Sequence, residues 1–313
     1  MKNRLLPLAV LGAIACGVGI ATQSRINGQL GAELDDGYTA AIISFGSGLL
    51  ILTVLMLVMR SGRVGFRRVI GAIRGGKIPW WYAFGGAAGG LFVLTQGLAS
   101  ATLGVALFSI GIVCGQTVSS VILDRIGIAS HAPRALSAQR LIGAGLALAA
   151  VVVAASSQFT GDSAPLLFLL PFIAGLFIAW QQAVNGQIRE VSGSVLTATF
   201  GNFFVGAVLL LVAALVHGFI AGWPEQLPSN PVLYLGGPIG IIFIGLGAMV
   251  VGTTGVLLLT LGTISGQLLM SLVLDLVVPV AAHPVQWTTY AGIALALVAV
   301  IIVARAPAAR PID

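Results

Sequence analysis

Gln23-Ser24-Arg25-Ile26-Asn27-Gly28-Gln29-Leu30 returns 158 residues later as Gln181-Gln182-Ala183-Val184-Asn185-Gly186-Gln187-Ile188. The match extends outward at the same offset: Gly17, Ala21, Thr39, Ala40, Phe45 and Gly48 fall on Gly175, Ala179, Thr197, Ala198, Phe203 and Gly206. A second block matches at an offset of 151, where Gly85, Gly86, Gly89, Thr102, Gly104, Val105, Gly111, Gly115, Gln116, Ser120, Leu123 and Asp124 fall on Gly236, Gly237, Gly240, Thr253, Gly255, Val256, Gly262, Gly266, Gln267, Ser271, Leu274 and Asp275. Only the connection between the two blocks has changed length. The chain therefore reads as one unit written twice, over 1–158 and 159–313.

Of 313 residues, 58% are hydrophobic and 8% charged, with mean hydropathy +1.06. A soluble domain carries about 25% charged residues, so the expected solvent is lipid. Apolar blocks lie near 5–27, 38–59, 79–100, 103–123, 139–157, 165–188, 194–217, 232–250, 253–274 and 285–304. Residues 78–123 and 231–274 contain no charge. As single helices rising ~1.5 Å per residue, each would be about twice the ~30 Å hydrocarbon thickness. Each is expected to turn back, at Leu98–Thr102 and at Val250–Thr254. The expected fold is all-α and membrane-integral, with ten transmembrane helices in two five-helix repeats. The segment Leu5–Thr22, although preceded by Lys2 and Arg4, is read as a retained helix because its pattern recurs near 166–188.

With the N-terminus inside, fourteen of the fifteen Lys and Arg residues fall on the inner side and only Arg25 outside, while Glu33, Asp35, Asp36, Asp162 and Glu225 lie in outer connections. This positive-inside bias predicts that both termini are cytoplasmic. The formal charge of +6 thus reports topology and not nucleic-acid binding. Trp80, Trp81 and Tyr82 open the third block, and Tyr38, Trp223, Tyr234, Trp287 and Tyr290 mark outer ends. The Arg60–Lys77 connection has helical periodicity, with Phe66, Val69, Ile70 and Ile73 on one side, which suits either an interfacial helix or a solvated loop. An odd number of crossings per unit starts the second unit on the opposite side, giving inverted repeats of the kind secondary transporters use.

The Gln-x-x-x-Asn-Gly-Gln motifs at Gln23 and Gln181, with the Gly-Gln…Leu-Asp blocks ending at Asp124 and Asp275, resemble the YdcZ family of the drug/metabolite transporter superfamily. Members are usually single five-helix units, and this chain looks like two in tandem over about residues 5–304. The resemblance implies a transporter of the bacterial inner membrane, often taken for an exporter. One departure is visible, since Asp124-Arg125-Ile126-Gly127 keeps the glycine expected after the aspartate and Asp275-Leu276-Val277-Val278 does not.

Gln23 and Asn27, like Gln181 and Asn185, are four apart and share a helix face. Amides facing lipid are unfavourable, so these four are expected inside the bundle, either holding helices together or lining a substrate path. Gln116 and Gln267, with Gln96, Gln182, Ser44 and Asn202, are further candidates for that path. Trp180, well inside a helix, is either a pocket wall or packing. Asp124 and Asp275 end helices where the dipole disfavours a carboxylate, which suggests a partner: an ion pair (Arg140 or Arg134 for Asp124), a backbone cap, or a proton-coupling role. Cys16 and Cys114 read as small buried hydrophobes. His131, His217 and His283 are scattered, no nucleophile or metal motif appears, and neither enzyme activity nor cofactor nor metal is expected. With so little buried charge, the expected function is secondary transport of a neutral or zwitterionic small molecule. A passive channel and a scaffold or lipid-scrambling role stay open, and a homodimer is compatible with any of them.

A reporter fused after Asp162 is expected to behave as external and one at the C-terminus as cytoplasmic. Cytoplasmic behaviour of the Asp162 fusion would overturn the inverted arrangement.

Overall fold

The computed structural model describes residues 2–126, 138–156, 164–278 and 285–304. The described residues are helical and contain no strand. In chain order the α-helices are α1 (Lys2–Leu34), α2 (Gly37–Val58), α3 (Arg60–Arg74), α4 (Gly85–Thr95), the single turn α5 (Ala101–Leu103), α6 (Val105–Ile126), α7 (Ala138–Ala155), α8 (Ala164–Ser192), α9 (Val195–Ala221), α10 (Gly236–Val277) and α11 (Trp287–Ala304). A 3-10 turn, Trp80–Phe84, leads into α4, and a π turn, Gln96–Ser100, joins α4 to α5. Six described helices are long and apolar enough to cross a bilayer, and Val105–Ser119, Leu141–Ala154, Gly236–Gly247 and Trp287–Ile302 are shorter apolar ones. Their outward residues are large and apolar, as with Leu50, Val54, Leu57 and Val58 on α2 and Val212, Val216, Phe219 and Ile220 on α9. That is the surface a lipid solvent requires.

Local sequence explains the paired turns α1–α2 and α8–α9. Asp35 has φ 49° and its counterpart Gly193 has φ 65°. The next residues, Asp36 and Ser194, are N-caps whose side chains accept from backbone N–H groups of α2 and α9. An amide donor freed at a helix start must find an acceptor when there is no water to supply one.

Both expected reversals are present but differently built. In the first unit the turn is shifted: Leu98–Thr102 stays helical through the π turn and α5, and the break falls at Gly104, whose φ of 78° favours glycine. In the second unit the expected departure from helix at 250–254 does not occur, because α10 is helical from Gly236 to Val277. The chain nevertheless doubles back. Phe243 lies against Gly19 and Val250 against Gly12, whereas Gly262 lies against Ala13 and Thr263 against Gly17. Twenty residues of straight helix would separate 243 from 263 by ~30 Å, yet both meet the same stretch of α1. The first limb runs antiparallel to α1 and the second parallel to it, so α10 curves tightly between Val250 and Gly262.

The first helix of each unit packs on the fourth helix of the other, the second limb of α10 counting as the fourth, and the contacts repeat with the units exchanged. A methyl group on Gly17 would sit 1.9 Å from the Thr263 carbonyl oxygen, and one on Gly175 would sit 2.2 Å from that of Ile112. Gly266 meets the Ile14 carbonyl at 2.1 Å as Gly115 meets that of Phe172 at 2.1 Å. Gly237 meets the Ser44 carbonyl at 2.2 Å as Gly86 meets that of Asn202 at 2.2 Å. Phe45 and Phe203 stack at the centre, ring centroids 4.7 Å apart, and each ring fills the space beside the other helix's glycine, Gly206 and Gly48. Small residues let helix backbones meet where no hydrophobic effect separates helix from lipid.

The Arg60–Arg74 segment is a helix, resolving the two readings of that connection. Val69 and Ala72 bury against Ile188 and Ala198, and Thr197 donates to the Gly62 carbonyl at 3.0 Å. It lies across the ends of α8 and α9, while Phe66, grouped with Val69 on the apolar side, is exposed and meets Phe200 edge-on.

Gly266→Val and Gly115→Val are each expected to abolish folded protein in detergent, since the obstacle is backbone. Gly46→Ala, with open space around it, is expected to leave the melting temperature unchanged or slightly raised, helix propensity favouring Ala by roughly 0.5–1 kcal/mol. Equal effects at the three sites would disprove the close cross-unit packing.

Candidate functional site

The candidate amides fall into two groups flanking the Phe45–Phe203 stack. In the first, at the end of the bundle that carries Asp36, the Gln23 Nε2 donates to the Gly236 carbonyl at 2.7 Å and the Asn27 Nδ2 donates to the Gln96 Oε1 at 2.6 Å. Gln96, at the start of the π turn, donates through Nε2 to the Ser24 Oγ at 2.9 Å and to the Gln23 Oε1 at 3.5 Å. Asn27 and Gln96 are fully buried. These bonds tie α1 to the π turn that follows α4 of its own unit and to α10 of the other. Ser44 Oγ and Asn27 Oδ1 both point at Gly236, whose Cβ position is 2.6 Å from the first and 2.1 Å from the second.

The second group lies at the end carrying α3. Gln181 Nε2 and Asn202 Oδ1 converge on Gly89, 2.7 and 2.9 Å from its Cβ position, and Asn185 Oδ1 faces Gly85 at 3.1 Å. Asn202 is buried with neither amide atom hydrogen-bonded. Asn185 is half-buried. Trp180 is also half-buried and stacks on Trp81 at 6.3 Å. On the ring side, Phe45 touches Gly89 and Phe203 touches Gly240, so one aromatic pair separates the two amide groups. Gln116 and Gln267 are buried further back on α6 and α10, and Gln267 is enclosed with both amide atoms unpaired. They belong to neither group. Unpaired buried amide and hydroxyl groups carry a free-energy penalty of about 1–3 kcal/mol each, and they are the natural contacts for a polar, uncharged ligand.

A family model described as "Putative inner membrane exporter, YdcZ" matches residues 8–153 and again 166–302. The chain belongs to the YdcZ family. It holds two YdcZ units in tandem. Among solved structures, one titled "Crystal structure of protein" is 19% identical, with 95% of each chain covered and a TM-score of 0.55, a likeness of fold. No curated relative matches.

The aspartate of the second YdcZ unit has a defined role. Asp275 is buried, and its two carboxylate oxygens accept from the backbone N–H groups of Val105 at 2.9 Å and Ala106 at 2.7 Å. The carboxylate from the end of α10 thus caps the start of α6 in the other unit, where Gly104 has broken the helix. Of the roles open to it, the backbone cap is the one built. The favourable dipole it meets belongs to α6, which offsets the unfavourable one of its own helix. The side chains of Asp124 and Arg140, and Arg134, lie outside the described residues. A cleft of about 160 Å³ lined by Arg25, Gln29, Ala32 and Ala101 opens nearby.

Sequence reading passed over one cluster. Asp36, besides capping α2, lies 3.7 Å from the His217 Nε2, and Tyr38 stacks on the His217 ring with centroids 4.4 Å apart. This joins the start of α2 to the end of α9. A contact between residues 181 apart in the chain leaves no signal in local spacing.

Asp275→Ala is expected to lower stability by about 1–2 kcal/mol, the worth of an N-cap, read as a lower melting temperature in detergent. Asp275→Asn keeps one acceptor and is expected to lose less. Equal losses in both variants would argue that the charge, and not the cap, is what matters.

Proposed function

We propose that this YdcZ protein is a secondary transporter that exports a neutral or zwitterionic small molecule across the bacterial inner membrane. It works by alternating access between two inverted five-helix repeats with ten crossings. The observation that carries the reading is the exchange of contacts between units around the Phe45–Phe203 stack. If the Gly17–Thr263 and Gly175–Ile112 contacts are the same contact in two copies, each unit can adopt the conformation of the other, and that swap moves the opening from one face to the other. The positive-inside bias supports an axis lying in the membrane plane, with the α3 end inside.

Chemistry of the two amide groups supports the substrate class. The buried unpaired atoms within these groups include those of Asn202, Ser44 and Asn27, all uncharged. Asp275 has its carboxylate committed to the α6 N-terminus. A charged substrate crossing the low-dielectric centre would call for a counter-charge there, and among the described residues none lies in either amide group. The substrate is therefore held by amide and hydroxyl contacts against aromatic walls, Phe45, Phe203 and Trp180.

Reconstituted protein should move neutral and zwitterionic solutes from a panel of amino acids, amides and polyols, and should not move quaternary ammonium or dicarboxylate probes. Uphill accumulation under an imposed proton or ion gradient separates a transporter from a channel, which only equilibrates its solute. Asn202→Leu is expected to lower flux at least about tenfold at unchanged melting temperature, the order of one or two lost ligand hydrogen bonds. Equilibration without accumulation, or undiminished flux in Asn202→Leu, would refute the mechanism or the site respectively.

A further inference from the structure

Among the described residues the exchange of contacts fails at the approach of the first helix of each unit to the third. At the Asp36 end this approach is tight: a methyl on Gly28 would lie 2.8 Å from the Ser100 Cβ, and one on Gly31 would lie 2.3 Å from the Gly97 carbonyl oxygen. Asn27, Ser24 and Gln96 are all fully buried there. At the α3 end the corresponding face of α8 is open among the described residues. Gly186, the counterpart of Gly28, has no described atom within 4 Å of its Cβ position. Gln182, where the first unit has Ser24, is exposed, and Asn185 is only half-buried.

The sequence contains the cause. At the 151-residue offset the counterpart of Gln96 is Gly247. Gln96 is the hub of the closed end, accepting from Asn27 and donating to Ser24 and Gln23. Closing the other end would bring α8 to the first limb of α10, where position 247 has no side chain to receive Gln181, Gln182 or Asn185. The two closed states are therefore unequal in energy although their backbones are related by symmetry.

We propose that Gln96 is a one-sided latch that biases the transporter toward the state closed at the Asp36 end and open at the α3 end. This rests on the proposed transport function and, for which side is inner, on the proposed topology. Under that topology the resting protein is open to the cytoplasm, the state an exporter needs for loading. Closure of the α3 end then has to be driven by the substrate, which supplies to Asn202, Gln181 and Asn185 the hydrogen bonds that Gly247 cannot. A ligand shifts such an equilibrium only through its differential contacts with the two states. Here those contacts are the amides left without a hub.

The test uses labelling by a membrane-impermeant methanethiosulfonate in the full chain reconstituted in vesicles, with Cys16 and Cys114 replaced by Ala. Ser100→Cys, a buried and near-isosteric change, reports on the Asp36 end, and Gly186→Cys reports on the α3 end. In the parent background Gly186→Cys labels fast and Ser100→Cys is protected. Adding Gln96→Ala is expected to raise Ser100→Cys labelling about tenfold and to lower that of Gly186→Cys, as loss of three intramembrane hydrogen bonds of ordinary strength would do. Gly247→Gln, which gives the second unit a hub of its own, is expected to lower Gly186→Cys labelling while the Asp36-end network is intact. A rise at both reporters in Gln96→Ala would mean loosened packing, and no change at either would mean a structural amide; each overturns the latch. The side from which Gly186→Cys labels is read separately in vesicles of known orientation. Labelling only from the outer face would refute the topology and leave the latch standing, and because no flux is measured the result is independent of substrate.

Discussion

The structure depends on glycine-mediated backbone contact between helices of different units. In lipid, burying a leucine against another helix gains little over burying it in acyl chains, so helices associate through close packing and through polar groups that lipid leaves unsatisfied. Gly17, Gly115, Gly175 and Gly266 each bring a carbonyl of the opposite unit so near that any side chain would collide with it. At these distances Cα–H groups lie against carbonyl oxygens, a weak attraction that recurs at helix interfaces. Because the contacts run from α1 to α10 and from α8 to α4 and α6, neither unit completes its own core. The tandem YdcZ units are two halves of one bundle, a tighter union than their separate sequence matches imply.

Polar groups are distributed by the same constraint. Every backbone amide freed by a helix break must be capped within the protein, and the breaks are where acidic and hydroxyl side chains collect: Asp36 and Ser194 at the paired turns, Asp275 at Gly104. Asp275 combines two functions of position, since it ends the helix of one unit and begins a helix of the other. The amides differ in kind. Gln23, Asn27 and Gln96 hydrogen-bond one another and Gly236 and hold helices, with the Asn27 Oδ1 left unpaired, whereas Asn202 and Gln267 are buried with neither amide atom paired. The hydrogen bonds of the amides thus differ between the two units, which symmetric recurrence in the sequence could not reveal.

Departure from symmetry is the functionally informative part. Two equal units would populate two equal states, with no preferred direction of opening. One glutamine in the first unit, set against one glycine in the second, is enough to make the states unequal, since each buried hydrogen bond has no competing water at that depth. The aromatic pair is equal in both units. The latch is present in one only.

Sequence by itself determined what depends on composition and periodicity. A chain so poor in charge must lie in lipid and its apolar blocks must match the bilayer, because each of these follows from the free energy of a residue in its solvent. It also located both reversals to within a few residues, at Gly104 and between Val250 and Gly262, because a charge-free stretch twice the bilayer thickness has to fold back. Tertiary structure alone decided partners. Gln23 with Gly236, Asp275 with Val105, and Asp36 with His217 are each more than 160 residues apart, and no local pattern encodes which of many inward glycines a given amide will meet. It also decided how each reversal is built, at Gly104 in one unit and within the helical span of α10 in the other, because that depends on which partner each limb packs against.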